Sequence, residues 1–158
     1  EINTTLHMSN SSVVRYMQLF DPGSSIKYEC NRGTSGIDGS LSTAVGSALA
    51  SPGEKHIAIS GDVSFIYDSN ALWIRPFPKN LKMIVIDNQG GGIFRIIDGA
   101  SSSNQLERFF EAKHEASVIE IANGFGISAI EVDNLANFEN SLNFLKILGL
   151  SNKSKAST

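Results

Sequence analysis

GDVSFIYDSNALWIRPFPKNLKMIVIDNQGGGIF, residues Gly61–Phe94, is the stretch whose reading decides the fold. It opens with Gly61-Asp62 at the end of the apolar run His56 to Ser60. After a second run, Leu81 to Ile86, come Asp87 and then Asn88-Gln89-Gly90. Two short β-branched runs separated by a helix-length segment predict a βαβ unit. Both polar ends then emerge at the carboxyl edge of one parallel sheet, where open α/β sheets bind ligands.

Those ends offer oxygen ligands. Asp62 carries a carboxylate, Asn88 an amide oxygen and Gly90 a backbone carbonyl, a set suited to a hard cation such as magnesium. Val63-Ser64 begins the intervening helix, whose free N–H groups favour a phosphate arriving with the metal. By spacing alone, capping of that helix by Asp62 explains the residue equally well.

The Gly-Asp pair, followed one crossover later by an Asn and a Gly, resembles the signature of thiamine-diphosphate enzymes. That family more often has glycine after the Asp and asparagine before the Asn, where this chain has Val63 and Asp87. A narrower likeness accounts for the difference. Asn10-Ser11-Ser12-Val13-Val14-Arg15, Asn31-Arg32-Gly33-Thr34-Ser35-Gly36-Ile37-Asp38-Gly39, Gly61-Asp62-Val63-Ser64-Phe65 and Asn88-Gln89-Gly90-Gly91 occur in this order. Together they resemble the 2-succinyl-5-enolpyruvyl-6-hydroxy-3-cyclohexene-1-carboxylate synthases of menaquinone biosynthesis, over roughly residues 5 to 132.

The resemblance implies an α/β fold of three layers, a mostly parallel sheet with helices on both faces. The whole of residues 1–158 would be the domain that binds the diphosphate end of the cofactor, cut from the carboxyl-terminal part of a longer cytoplasmic, homodimeric enzyme. It implies thiamine diphosphate with magnesium, or manganese in its place, held by Asp62, Asn88 and Gly90. Ser11, Val63, Ser64, Gly91 and Gly92 would surround the diphosphate. Ser35 would offer a carbonyl to the aminopyrimidine, and Ile37 would prop the cofactor in its bent shape. Arg15 and Arg32 would meet substrate carboxylates with Asn10 as a polar neighbour, and Ile93 and Phe94 would form an apolar wall.

The implied reaction is decarboxylation of 2-oxoglutarate and addition of the resulting carbanion to isochorismate. A glutamate from a separate domain, usually of a second subunit, would activate the cofactor, so these residues alone are expected to be inactive. Two alternatives stay open: another thiamine-diphosphate decarboxylase or an acetolactate-synthase-like enzyme, and a non-catalytic metal-diphosphate-binding module.

Composition agrees with an ordinary globular chain of one domain's size, 41% hydrophobic and 18% charged. A net charge of -3 advertises no nucleic acid as partner. No apolar run approaches the ~20 residues of a spanning helix. Glu1 to Thr5 lacks the features of a signal peptide, and the start at Glu1 instead of methionine suggests a processed or cut product. The lone Cys30 fits a reducing compartment and reads as a small apolar residue at a strand end. The glycine triplet misses the dinucleotide fingerprint at Arg95, and no P-loop or nucleophile elbow occurs. His7, His56 and His114 lack zinc-site pairing and read as structural or surface residues.

Patterning predicts further elements. Leu6 to Met8 and Ile26 to Cys30 read as strands, and Val13, Met17 and Phe20 mark a helix capped from Ser9-Asn10-Ser11. Leu41, Val45, Ala48 and Leu49 stripe a helix over Ser40 to Ala50, and Phe65, Leu72 and Trp73 are available for burial in the helix after Asp62, which Pro76 and Pro78 end. Asp68 and Asn70, inside that helix, are expected to stabilise it and its neighbours. Asp98 to Asn104 is a candidate lid, Gln105 to Phe110 is helical, and Ala116 to Asn123 is a helix closed by Gly124. Ile127 to Val132 reads as a fifth strand and Leu135, Phe138, Leu142 and Leu145 as a helical stripe, with the last strand expected to be missing after Ser151.

Overall fold

The computed structural model describes residues 3–21 and 26–141. β1 (Thr4–Met8), β2 (Lys27–Cys30), β3 (Lys55–Gly61) and β4 (Leu81–Ile86) form a parallel sheet in the order β2-β1-β3-β4. Between them run α1 (Ser12–Phe20), α2 (Ser40–Ala50) and α3 (Asp62–Tyr67). Parallel crossovers are right-handed, so the reversal in strand order puts α1 on one face and α2 and α3 on the other. The layers are those of the expected three-layer α/β fold.

The same reversal creates a switch point between β1 and β3. Chain leaving β1 turns toward β2, while chain leaving β3 turns toward β4, and a crevice opens at their carboxyl ends. Asn10 follows β1 and Asp62 follows β3, so both lie beside that crevice. The pairing continues past the strands: Ser9 N donates to Ile59 O (2.9 Å), and Gly61 N donates to Ser9 Oγ (3.3 Å).

The core is built from small and branched side chains. Leu41, Ala44, Val45 and Ala48 of α2 are buried, and the alanines let the helix sit close to the sheet. Phe65 and Leu72 are fully buried on the same side, each contributing about 1.5–3 kcal/mol by removal from water. Asn80 closes the far end of α2, its Nδ2 reaching Ala48 O (3.0 Å), Ser51 O (3.1 Å) and Glu54 O (3.0 Å), carbonyls of the kind a helix end leaves unpaired.

Several local expectations are corrected. Leu49, Phe20 and Trp73 are exposed, at 43%, 77% and 69%: Leu49 and Trp73 each lie one step past a buried residue, Ala48 and Leu72, and Phe20 is the last residue of α1. Ser11 precedes α1 without a side-chain capping bond. The predicted helix over the crossover from β3 to β4 is shorter than its apolar spacing suggests: α3 stops at Tyr67 and a 3-10 turn, Ser69–Trp73, follows. The break has a cause in Asp68, whose carboxylate accepts from Ser42 N (2.7 Å) and Ser42 Oγ (2.5 Å) and so caps α2, the neighbouring helix.

α4 runs Val118–Gly124, with Ser117 Oγ accepting from Glu120 N (3.2 Å). The left-handed residue after it is Gly126, at φ 70°, not Gly124, which is inside the helix. No fifth strand forms among the described residues: 127–132 are irregular, since an apolar alternation becomes a strand only where a neighbour completes its ladder. The chain divides into two compact units after Ile127. In the second unit residues 135–141 are helical, with Leu135 72% exposed. Leu142, Leu145 and the expected missing last strand lie outside the described residues.

His7 and His56, on neighbouring strands, stack with ring centroids 5.3 Å apart, and His7 Nε2 lies 3.0 Å from His56 Nδ1. Burial, and then the facing His56, hold the His7 pKa below its ordinary 6.5. A base with a depressed folded pKa binds fewer protons folded than unfolded. Its stabilising contribution is therefore complete above pH 6.5 and is lost as pH falls below it. We expect the melting temperature to fall more steeply between pH 7.5 and 5 in the unmodified protein than in His7→Gln, read by calorimetry, and equal slopes would exclude this role.

Candidate functional site

Asp62 is the first residue of α3 and is 2% exposed. Its Oδ1 accepts from Val63 N (2.8 Å) and its Oδ2 from Gly90 N (2.9 Å). The second bond joins the polar ends of β3 and β4, whose register sets Gly61 beside Ile86. The spacing read from the sequence is thus realised as contact. The capping reading is realised as well, through Val63 N.

No lysine or arginine compensates this buried carboxylate among the described residues. Its one ion-pair neighbour is His114, with Nε2 3.2 Å from Asp62 Oδ2 in an orientation that makes no hydrogen bond. A buried carboxylate held by two N–H groups is short of positive charge, which a cation would supply. Asn88 stands on the exposed side of the same loop, and its side chain makes no hydrogen bond among the described residues. Gly90 O accepts from Gly92 N (3.0 Å), which still leaves it a lone pair. These residues fit a metal with oxygen ligands.

Close approach of backbone requires glycine at Gly90 and crowds Gly91, while at Gly92 the neighbour is a movable side chain. A Cβ on Gly90 would meet Glu111 O at 2.8 Å, and one on Gly92 would meet Asn88 Nδ2 at 2.5 Å. Gly91 N donates to Glu111 O (2.6 Å), and its own missing side chain leaves room for the Phe94 ring. Ile93 is buried at 5%, and Phe94 packs on Phe110 with centroids 5.5 Å apart, so of the expected wall only Phe94 shows part of its surface.

The element covering this loop is the segment of Leu106–Phe110, one wide π-type turn, continuing to His114. Besides Gly91 N to Glu111 O, His114 N donates to Gln89 O (3.4 Å). Buried Glu111 pairs with Arg95 and lies 3.6 Å from Lys113 Nζ. Asp98 to Asn104, the candidate lid, forms local turns, with Ser101 N to Ile97 O (3.0 Å) and Ser103 N to Ala100 O (3.1 Å). His114 and Glu111 escaped the sequence reading because nothing local marks them. They lie more than a dozen residues beyond Gln89, Gly90 and Gly91, which they contact.

On the other side of Asp62, the loop after β2 approaches through Ser64, whose buried hydroxyl donates to Ile37 O. Its backbone remains the part that can meet a phosphate. Ser35 holds φ 57°, a left-handed conformation, and its Oγ donates to Arg32 O (3.2 Å). Ser11 likewise has φ 73°. Such conformations cost about 1–3 kcal/mol each in non-glycine residues and mark positions where the backbone is aimed.

Arg15 and Arg32 are both exposed. Arg15 Nη1 donates to Ser11 O (2.9 Å) and Arg32 Nη1 to Asn10 Oδ1 (2.8 Å), leaving other N–H groups of each fork free for an anion. Burial raises the Cys30 thiol above its ordinary value, with Arg32 opposing, so the thiol is not activated. A cleft of about 240 Å³ is lined by His7, Cys30, Asn31, Ser40 and other residues. It includes none of the metal or diphosphate candidates, whose own site is an open edge.

Comparison with known proteins agrees with this arrangement. Residues 8–147 match the family described as thiamine pyrophosphate enzyme, C-terminal TPP binding domain. The chain is 47% identical over 143 residues to a 2-succinyl-5-enolpyruvyl-6-hydroxy-3-cyclohexene-1-carboxylate synthase of Flavobacterium johnsoniae, covering 90% of this chain and 26% of the relative. It is 54% identical over 112 residues to the synthase of the same name from Christiangramia forsetii, covering 71% of this chain and 19% of the relative. The chain thus spans about a quarter or less of the length of these relatives. A solved thiamine diphosphate-dependent 4-hydroxybenzoylformate decarboxylase of Rhodococcus jostii superposes with a TM-score of 0.63 at 22% identity, over 86% of this chain and 26% of that one, a likeness of fold. No described helix is long and apolar enough to cross a membrane. With four strands in parallel order, a buried acid bonded to the glycine loop and a family match over most of its length, the chain belongs to the thiamine pyrophosphate enzymes, as their C-terminal TPP-binding domain.

Proposed function

We propose that this chain is the diphosphate-end domain of a magnesium- and thiamine-diphosphate-dependent 2-succinyl-5-enolpyruvyl-6-hydroxy-3-cyclohexene-1-carboxylate synthase, acting on 2-oxoglutarate and isochorismate in menaquinone biosynthesis. The observation that carries the reading is the bond from Gly90 N to Asp62 Oδ2, which unites the two halves of the metal motif at one sheet edge. The names of the relatives at 47% and 54% identity support the choice of substrates.

When bound, thiamine diphosphate supplies a nucleophilic ring carbon that adds to an oxo acid and allows carbon dioxide to leave. The chain's own residues bind and orient. Asp62, Asn88 and Gly90 O hold magnesium, or manganese in its place. Ser11, Val63, Ser64, Gly91 and Gly92 would surround the diphosphate, with the N–H groups of Val63, Gly91 and Gly92 shared with Asp62 Oδ1, Glu111 O and Gly90 O. Ser35 offers its carbonyl to the aminopyrimidine and Ile37 its side chain to the bend. Phe94, with Ile93 behind it, excludes water, and Arg15 and Arg32 present guanidinium forks to substrate carboxylates. Further domains and a second subunit contribute the activating glutamate.

The test uses the full-length enzyme. It should consume 2-oxoglutarate with isochorismate and not pyruvate as sole substrate. Pyruvate turnover would favour a decarboxylase or acetolactate-synthase-like enzyme, and cofactor binding without turnover a binding module. Arg32→Ala should lower kcat/KM by about ten- to a hundredfold, the loss of a charge-assisted bond of ~1.5–3 kcal/mol, while cofactor affinity stays near normal. Cofactor affinity falling in step with activity would assign Arg32 to the cofactor.

A further inference from the structure

We propose that Asn10 acts on substrate through Arg32, as a positioning residue, instead of touching substrate itself. The inference rests on the reading above in which Arg32 meets a substrate carboxylate. Asn10 is 2% exposed. A carboxamide has two N–H donors and an oxygen with two lone pairs. In Asn10 all of them are engaged: Nδ2 donates to Asn31 O (2.8 Å) and Gly36 O (2.6 Å), while Oδ1 accepts from Arg32 Nη1 (2.8 Å) and from Cys30 Sγ (3.5 Å). No hydrogen-bonding capacity is left over for a ligand.

What the amide does is join two loops. Asn10 follows β1, and Arg32 opens the loop after β2, so without a bridge the exposed arginine would sample many rotamers. A fixed, buried acceptor selects among them, and it takes one nitrogen of the fork while the others stay free for a carboxylate. Because the acceptor is a neutral amide, the guanidinium keeps its full charge for the substrate. The same side chain, through Asn31 O and Gly36 O, holds both ends of the segment that carries Arg32.

A double-mutant cycle in the full-length enzyme tests this, with KM measured for each substrate and the thiamine diphosphate Kd measured by calorimetry. Arg32→Ala should raise the KM of the substrate it meets. Asn10→Ala should raise the same KM by about fivefold or more with kcat within about twofold, and should add less than about twofold in the Arg32→Ala background. Should Asn10→Ala fail to fold, Asn10→Ser, which keeps one donor for the loop carbonyls and loses reach to Arg32, carries the same cycle. Multiplying effects in the double variant would overturn the positioning role while leaving Arg32 as a substrate residue. A rise in cofactor Kd matching the loss of activity would overturn it too. An Arg32→Ala enzyme with both KM values unchanged would reject the reading of Arg32 and the inference with it.

Discussion

Replacing Asp62 by Ala is expected to weaken magnesium-dependent binding of thiamine diphosphate to the full-length enzyme at least tenfold, or ~1.4 kcal/mol. The carboxylate is buried, and its two strong bonds go to backbone N–H groups, Val63 N and Gly90 N. It therefore does two things at once: it offers charge to a cation, and it ties the glycine loop to the start of α3. Alanine removes both, leaving Gly90 N without an acceptor and the loop free to move from the metal. Asp62→Asn separates the two effects, since an amide oxygen still accepts from Gly90 N but carries no charge. Titration calorimetry with magnesium varied should show Asp62→Asn weakened chiefly in its metal dependence. Unchanged affinity in a folded Asp62→Ala enzyme would remove Asp62 from the site.

The other large effect is expected from the chain by itself, which should show no synthase turnover. Thiamine chemistry needs an acid beside the aminopyrimidine, and four of the acids near the described site are already engaged. Asp62 is bonded to Gly90, Asp68 to Ser42, and Glu111 to Arg95, while Asp87 Oδ1 accepts from Gln89 N (3.0 Å). The site is also an open edge, where water screens the electrostatic control that a closed cleft provides. The residues 1–158 alone, assayed with magnesium, thiamine diphosphate, 2-oxoglutarate and isochorismate, should give background rates. Turnover comparable with the full-length enzyme would show that an acid within these residues activates the cofactor.

Much of the fold was legible because parallel strands buried on both faces are short β-branched runs, and such runs stand out between polar loops. Lys55–Gly61 and Leu81–Ile86 were placed within a residue or so. Where a helix depended on a partner, periodicity misled. The crossover after Asp62 has helical spacing to Trp73, yet Asp68 leaves the helix because Ser42 offers two donors across the core. The supposed strand at Ile127 to Val132 failed for the complementary reason, since alternation describes a surface and not a pairing.

The sequence by itself determined the four strands of the sheet, the order of the polar motifs along the chain and the polar groups each motif offers, because these depend on residues within one or two turns of each other. Only the tertiary structure decided which of those groups are free. Asn10 read only as a polar neighbour of Arg15 and Arg32 until its four hydrogen-bonding positions were found occupied, and His114 as a structural or surface residue until it lay 3.2 Å from Asp62. The physical reason is common to both: whether a polar group is satisfied depends on strand order and loop approach across dozens of residues, and no local pattern encodes it.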